Sequence, residues 1–165
     1  MIKNNNMENN QILDIVYHPD PILRQTAQEI DLDKIKSPTM QAFIKNLEAT
    51  MLKKDGAGLA APQVGVSQRV IAVAQRNKKN LIMINPVITR RSWKKVSEEE
   101  GCLSVVDENG KIIYGRVSRH RDITCQYFDT QGKKKKLQAE EYLARVIQHE
   151  VDHLNGVLFI DYLEK

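Results

Sequence analysis

The sequence contains few cysteines and no long apolar segment. Cys102 and Cys125 are the two cysteines among 165 residues, which excludes a framework of several disulfides. No apolar run approaches the roughly 20 residues that a transmembrane helix requires, so we expect no membrane contact. The first residues also lack the basic and apolar regions of a secretory signal. These absences indicate a globular protein, which we expect to be cytoplasmic.

The length and the polar N-terminus predict a simple domain organisation. A chain of 165 residues fits one domain with its own hydrophobic core, and no linker or repeat interrupts residues 12–165. Residues 1–11 are polar and rich in asparagine, so we expect a disordered segment there. The remainder, 12–165, is predicted to fold as a single domain.

The basic charge is mild and concentrated in one run. The net charge is +4, which permits a transient contact with an RNA-rich surface such as the ribosome but does not require one. Four consecutive lysines, Lys133 to Lys136, follow a polar stretch that ends in Gly132. We interpret this run as a solvated hairpin turn, because nucleic-acid binding usually needs a broader basic face. No specific DNA binding is expected.

Helices are predicted near both ends of the domain, with strands between them. Ser37 and Pro38 are typical of a helix start, and the helical pattern ends before Gly56. A C-terminal helix is expected over 140–154. Asn85-Pro86 should end the strand that precedes it. Strands in runs with helices at the flanks indicate an α+β fold; the predicted strands are 69–74, 81–85, 87–92, 111–118, 122–128 and 135–139.

The strongest chemical signal lies in the C-terminal helix, where residues 149–153 read His-Glu-Val-Asp-His. Residues four apart share one face of a helix, so His149 and His153 could bind one metal ion. Glu150 could then take a proton from a metal-bound water. The alternative is that two core or surface histidines have this spacing by chance. That coincidence is rare in a chain with four histidines.

Two histidines do not complete a catalytic metal site, which usually has three protein ligands and an open position. The residues after His153 contain no further histidine, and Glu164 is one residue from the end. An upstream ligand is therefore expected, and Cys102 is the natural candidate. A lone cysteine is more often an inert core residue, and we keep that interpretation for Cys125.

A third unusual segment covers residues 56–65 and reads Gly-Ala-Gly-Leu-Ala-Ala-Pro-Gln-Val-Gly. It matches neither the GxGxxG nor the GxxxxGK[ST] nucleotide motif. It could be a glycine-rich turn after a helix. Alternatively, its small residues could let the backbone approach a ligand closely, and Gln63 could place an amide N–H beside a carbonyl oxygen.

The three segments together resemble the signature motifs of peptide deformylases. Residues 56–63 (GAGLAAPQ), 100–104 (EGCLS) and 149–153 (HEVDH) occur in the family's order, and further similarity lies at 17–24, 144–148 and 154–156. The likeness spans about residues 12–162. It implies a catalytic domain in which antiparallel β-sheets surround the C-terminal helix that carries the HExxH motif.

The resemblance also implies a function and a role for each motif residue. The family removes the formyl group from the N-terminal methionine of new proteins and releases formate, so N-formylmethionyl peptides are the expected partners. Metal ligands are implied at Cys102, His149 and His153, and a general acid/base at Glu150. Gln63 and the backbone N–H of Leu103 resemble the pair that holds the formyl oxygen. Gly58 resembles the glycine that contacts the substrate backbone. The implied metal is Fe(II) in the cell, with zinc, nickel or cobalt also supporting activity.

Three positions depart from the family's common pattern. Val106 stands where a proline is frequent, and Asn109 lies in a stretch where many members have a substrate-binding arginine. Glu141 stands where many relatives have glycine. None of the three is a metal ligand or the general base, so they bear on substrate affinity more than on the reaction.

Two other functions fit parts of the pattern. An HExxH peptidase would cleave internal peptide bonds, but the expected downstream ligand is missing. A deformylase-like protein could bind formylated chains without turnover, although a pure binder needs no general base at Glu150.

Overall fold

The computed structural model describes residues 10–163. The segment 1–11, which the sequence predicts to be disordered, lies outside the described residues except for its last two. Of those two, Gln11 donates its backbone N–H to Oδ1 of Asn46 at 3.0 Å. The helices and strands, in chain order, are α1 (Pro38–Lys53), β1 (Gly58–Ala60), β2 (Val70–Val73), β3 (Leu81–Arg91), β4 (Lys95–Val106), β5 (Ile112–His120), β6 (Asp122–Phe128), β7 (Lys134–Glu140) and α2 (Glu141–Leu154).

The strands form two antiparallel sheets, which confirms the expected α+β fold. The larger sheet has the order β1-β2-β3-β6-β7, and β4 pairs with β5 in the smaller one. The predicted helix start is also confirmed, because the Ser37 hydroxyl accepts the N–H of Met40 at 3.2 Å. Neither helix of residues 10–163 combines the length and apolar character needed to span a membrane.

The two helices pack on opposite faces of the larger sheet. Side chains alternate along a strand, so Val70 and Ala72 of β2 join the core cluster of α1 while Ile71 and Val73 join that of α2. All four are buried, which explains why β2 reads as an uninterrupted apolar run. This arrangement fixes α2 between the two sheets, with one face toward β4 and β5.

The prediction that Asn85-Pro86 ends a strand was wrong. Strand β3 continues to Arg91, and its pairing with β6 shifts register between Ile84 and Val87. Asn85 adopts a positive φ of 49°, and its side chain bonds to the backbone N–H and C=O of Ile30 at 2.9 and 2.8 Å. The proline is therefore accommodated in a bulge, which bends the strand without ending it.

Strand β4 was not predicted, although it is the longest strand among residues 10–163. Its first half contains Ser97, Glu98, Glu99 and Glu100 and has no apolar alternation. Periodicity arguments depend on apolar residues facing the core, so they overlook a strand segment whose buried residue is charged. Glu100 is the buried residue of this first half, and it is 6% exposed.

Both ends of α2 have left-handed backbone conformations. Glu141 has a φ of 50° at the start of the helix, a conformation that favours glycine, the residue that the family resemblance implies there. Its carboxylate accepts from Arg121 at 2.8 Å. Gly156 has a φ of 72° just after the helix, a conformation that glycine adopts readily at a helix C-terminus.

Candidate metal centre

Three buried donor atoms from β4 and α2 converge on one point. The Cys102 Sγ lies 3.3 Å from His153 Nε2, and the two Nε2 atoms of His149 and His153 are 3.2 Å apart. All the ligand atoms of this group lie within 4.8 Å of one another. Residues that are 47 or more positions apart in the chain, at β4 and α2, thus form one cluster with the composition of a three-ligand metal site.

Helical geometry explains how α2 contributes two of these donors. His149 and His153 are separated by one helical turn, and their ring centroids are 4.9 Å apart with the planes nearly perpendicular. Phe159, from the segment after the helix, stacks on His149 with centroids 6.1 Å apart. The rings are therefore held by packing as well as by the backbone.

Gln63 approaches the same cluster from a short 3₁₀ helix at Ala61–Val64. Its Oε1 accepts the N–H of Ala60 at 2.9 Å, so its amide nitrogen points the other way. That nitrogen donates to Cys102 Sγ at 3.4 Å and to Ser104 Oγ at 3.2 Å. Leu103 lies between these two residues on β4 and lines the same cavity.

Glu150 is buried beside the donor cluster, and Gly58 is in close contact with it. A Cβ atom at Gly58 would lie 2.7 Å from Cγ and Cδ of Glu150, which real structures do not tolerate. The Oε2 atom of Glu150 is buried and has no hydrogen-bond partner among the described residues. Burial raises the pKa of this carboxyl to about 7. It can therefore gain and lose a proton near neutral pH.

A buried ionic network, missed by the sequence analysis, surrounds Glu100. Its carboxylate accepts from Nε and Nη2 of Arg119, both at 2.9 Å, and from Nη1 of Arg145 at 2.7 Å. Arg119 also pairs with Asp152 of α2. The Glu100 carboxylate also contacts Nδ1 of His149 at 3.0 Å. Because a carboxylate can only accept, His149 carries its proton on Nδ1, and Nε2 faces the cluster.

One sequence signal could have pointed to this network. Arg145 lies four residues before His149, on the same helical face, and it is 6% exposed. A buried arginine needs an anion, so an arginine on the helix face that carries both histidines predicts a carboxylate partner. Arg119 and Asp152 gave no such signal, because they lie 33 residues apart.

The network also sets the charge state of the cluster. Burial opposes ionisation of Glu100, but hydrogen bonds from His149 and Arg119 lower its pKa to about 2. Burial would lower the pKa of His149, whereas hydrogen bonds to Cys102 and Glu100 raise it to about 10. The pKa of His153 is lowered by burial and by the charge of His149. A proton and a divalent cation therefore compete for the same group of donors.

A cavity of about 270 Å³ opens beside the cluster. Its wall combines small residues at Gly56 and Gly58 with apolar side chains from β4, β5 and α2, namely Leu103, Ile112, Tyr114, Tyr142 and Val146. Asn109 and Val106 do not line it. Asn109 instead lies in the turn between β4 and β5, where its N–H bonds to Asp107 at 2.8 Å.

Polypeptide deformylases are similar to this chain over most of its length. A family model described as polypeptide deformylase matches residues 12–165. The peptide deformylase of Desulforudis audaxviator (strain MP104C) is 42% identical over 150 residues, which cover 91% of this chain and 92% of that protein. The peptide deformylase of Halothermothrix orenii is 44% identical over 143 residues, or 86% of this chain and 87% of that protein.

Solved structures show the same likeness. The class I type b peptide deformylase from Acinetobacter baumannii, in its Met-Ala-Ser-bound crystal structure, has a TM-score of 0.87 and 34% identity and covers 93% of this chain and 99% of that one. The peptide deformylase from Thermotoga maritima has a TM-score of 0.84 and 36% identity and covers 94% and 99%, respectively.

Proposed function

Since the chain belongs to the polypeptide deformylase family, the hydrolases that remove the N-formyl group from the first methionine of newly made proteins, we propose that Cys102, His149 and His153 bind its divalent metal ion. The observation that supports this ligand set best is the mutual approach of the three donor atoms to within 4.8 Å. The hydrogen bond between Glu100 and Nδ1 of His149 fits the same role, because metal-binding imidazoles usually donate their second N–H to a carboxylate.

The donor set also bears on which metal is bound. One thiolate and two imidazoles suit iron, zinc, cobalt and nickel, and availability decides among them. Fe(II) is our proposal for the cell, with zinc, nickel or cobalt in purified protein. A bound divalent ion supplies a water of lowered pKa and polarises the formyl carbonyl.

The chain's own residues would move the proton and hold the oxyanion. Glu150 would take a proton at its unpartnered Oε2 and deliver it to the leaving amine, a role that its pKa of about 7 supports. Gln63 is oriented with its amide N–H toward the cluster, where it and the backbone N–H of Leu103 would stabilise the formyl oxygen. Losing one such donor typically costs about 10²–10³ in rate.

The cavity beside the cluster is proposed to receive the methionine side chain. Its apolar wall at Ile112 and Val146 suits a thioether, and the relative from Acinetobacter baumannii binds Met-Ala-Ser. Gly58 lacks a Cβ, which lets its backbone lie against the Glu150 side chain, and this backbone is proposed to contact the substrate chain. The arginine that many relatives use has no counterpart at Asn109, so we expect weaker backbone affinity.

The assay uses formyl-Met-Ala-Ser with protein loaded with Fe(II) or Ni(II) under anaerobic conditions. Formate release is expected from the wild-type chain. Glu150→Gln should retain the metal and lose at least about 10²-fold in kcat, because the proton carrier is gone while the ligands remain. Glu108→Gln makes the same chemical change at an exposed position in the β4–β5 turn and should leave the rate unchanged.

The assay also separates the alternative functions. Near-normal turnover by Glu150→Gln would refute the proposed role of this residue. Cleavage of internal peptide bonds would indicate an HExxH peptidase, and peptide binding without formate release would indicate a binding protein.

Because newly made proteins emerge in the cytoplasm, we propose that location for the enzyme, together with a transient ribosome contact.

A further inference from the structure

The turn between β3 and β4 carries an exposed tryptophan among four cations. Trp93 is the only tryptophan of the chain, and the residue is fully exposed. The flanking residues Arg90, Arg91, Lys94 and Lys95 are all exposed, and none of them makes an ion pair within the described part of the chain. No role in deformylation accounts for this cluster, because it does not line the cavity.

The turn is held firmly despite its exposure. Ser92 donates its N–H to the carbonyl of Asp122 at 2.9 Å and accepts the N–H of Asp122 on its hydroxyl at 3.1 Å. The His120 ring donates to the Ser92 carbonyl at 2.7 Å, and the N–H of Arg121 donates to the Lys94 carbonyl at 2.9 Å. The backbone on both sides of Trp93 is therefore anchored to β5 and β6, and the indole projects from a fixed support.

The local charge balance is strongly positive. Asp122 of β6 and Glu141 at the start of α2 are both paired with Arg121. The cations at the turn are thus left to solvent or to an external anion. An aromatic plane flanked by cations is the combination that binds single-stranded nucleic acid, because bases stack on the ring while phosphates pair with the charges.

We propose that this turn, residues 90–95, binds single-stranded RNA exposed on the surface of the ribosome. The inference rests on the proposed function, since substrates of this reaction emerge from an RNA-rich particle. The distance from this turn to Cys102 is compatible with a contact on the ribosome surface. Lys95 and Cys102 are seven residues apart on β4, or about 23 Å along an extended strand. An emerging chain of about seven extended residues could span the same distance from the RNA surface to the metal centre.

Binding is tested with full-length, Ni(II)-loaded protein against purified bacterial ribosomes and a polyuridylate oligonucleotide. A variant with Arg90, Arg91, Lys94 and Lys95 all changed to Gln should bind ribosomes at least about 10-fold more weakly, with a shallower salt dependence. Trp93→Ser should weaken oligonucleotide binding by about 5- to 100-fold through loss of stacking. Because Trp93 is the only tryptophan, quenching of its fluorescence by the oligonucleotide reports contact directly.

The lysines of the β6–β7 hairpin provide a matched control. Changing Lys133, Lys134, Lys135 and Lys136 to Gln removes the same net charge from the opposite end of β6. We expect this variant to bind ribosomes nearly as well as the wild type. An equal loss in both quadruple variants would overturn the proposal in favour of unspecific charge attraction.

Two further outcomes would also overturn the proposal that residues 90–95 bind RNA. The first is unchanged Trp93 fluorescence on saturation with the oligonucleotide. The second is stronger binding to phosphatidylglycerol vesicles than to ribosomes, which would indicate a membrane surface. Hydrolysis of free formyl-Met-Ala-Ser should be unchanged in every one of these variants. If the wild-type chain fails to release formate, the proposed function fails separately from the RNA contact.

Discussion

Replacing Glu100 by glutamine should damage stability and metal binding together. This carboxylate is buried and accepts hydrogen bonds from Arg119, Arg145 and His149. Glu100→Gln keeps the volume but removes the negative charge, and the new amide nitrogen would face cationic donors. Two buried guanidinium groups would thus lose their shared anion.

The expected magnitude follows from the partners that remain. Breaking a buried ion pair by removing one charge typically costs about 3–5 kcal/mol. Arg119 retains Asp152, and Arg145 retains Glu98 and two backbone carbonyls, so the lower end applies. We expect the free energy of unfolding to fall by about 3 kcal/mol, which for this chain length lowers Tm by about 6–12 °C. Metal affinity should fall by about 10–100-fold, because His149 is no longer oriented.

Calorimetry of the metal-free protein measures the loss of stability, and competition with a chelator measures the loss of metal affinity. Glu98→Gln is the matched control, since Glu98 pairs with the same Arg145 at 3.1 Å but its side chain is 55% exposed. Exposed pairs contribute about 0–1 kcal/mol, so the control should be nearly neutral. If Glu100→Gln were as stable as the control and bound metal equally tightly, the network would contribute neither to stability nor to metal binding.

Three other substitutions test separate parts of the structure. Gly58→Ala should lower kcat by about 10-fold or more while metal content stays stoichiometric, because the added methyl group displaces Glu150; wild-type kcat would contradict the close contact. Cys102→Ala should weaken metal retention, as measured by metal analysis after dialysis, since it removes the only thiolate of the ligand set; a stoichiometric metal content at unchanged affinity would exclude Cys102 as a ligand. Glu141→Gly should raise the free energy of unfolding by up to about 1 kcal/mol in urea titrations, because it relieves the backbone strain of a non-glycine residue at a φ of 50°. A clear destabilisation would show that the lost contact with Arg121 outweighs this strain.

Local periodicity accounts for most of what could be predicted from the sequence. The two helices, the apolar strand β2 and the β6–β7 hairpin depend on residues close together in the chain. The spacing of His149 and His153 is of the same kind, because a helical turn brings them together without any tertiary information. The resemblance to a known family then supplied the residues whose proximity depends on the complete fold, such as Gln63.

Features that depend on distant polar partners could not be predicted in this way. Asn85 sits in a bulge because its side chain bonds to Ile30, 55 residues away in the chain. Glu100 meets Arg119 and His149 across 19 and 49 residues. No periodicity encodes such pairs, because a polar residue has the same sequence appearance whether it is solvated or buried with a partner.

The missed strand and the missed network have one cause. Strand β4 carries Cys102 to the candidate metal centre, and its inward-facing residue two positions earlier is Glu100. A charged residue can face the interior only when cations compensate it, and here Arg119 of β5 and Arg145 of α2 do so. The same carboxylate holds Nδ1 of His149. The position of the thiolate and the orientation of the imidazole therefore depend on one buried charge, so a substitution there should disturb both donors together.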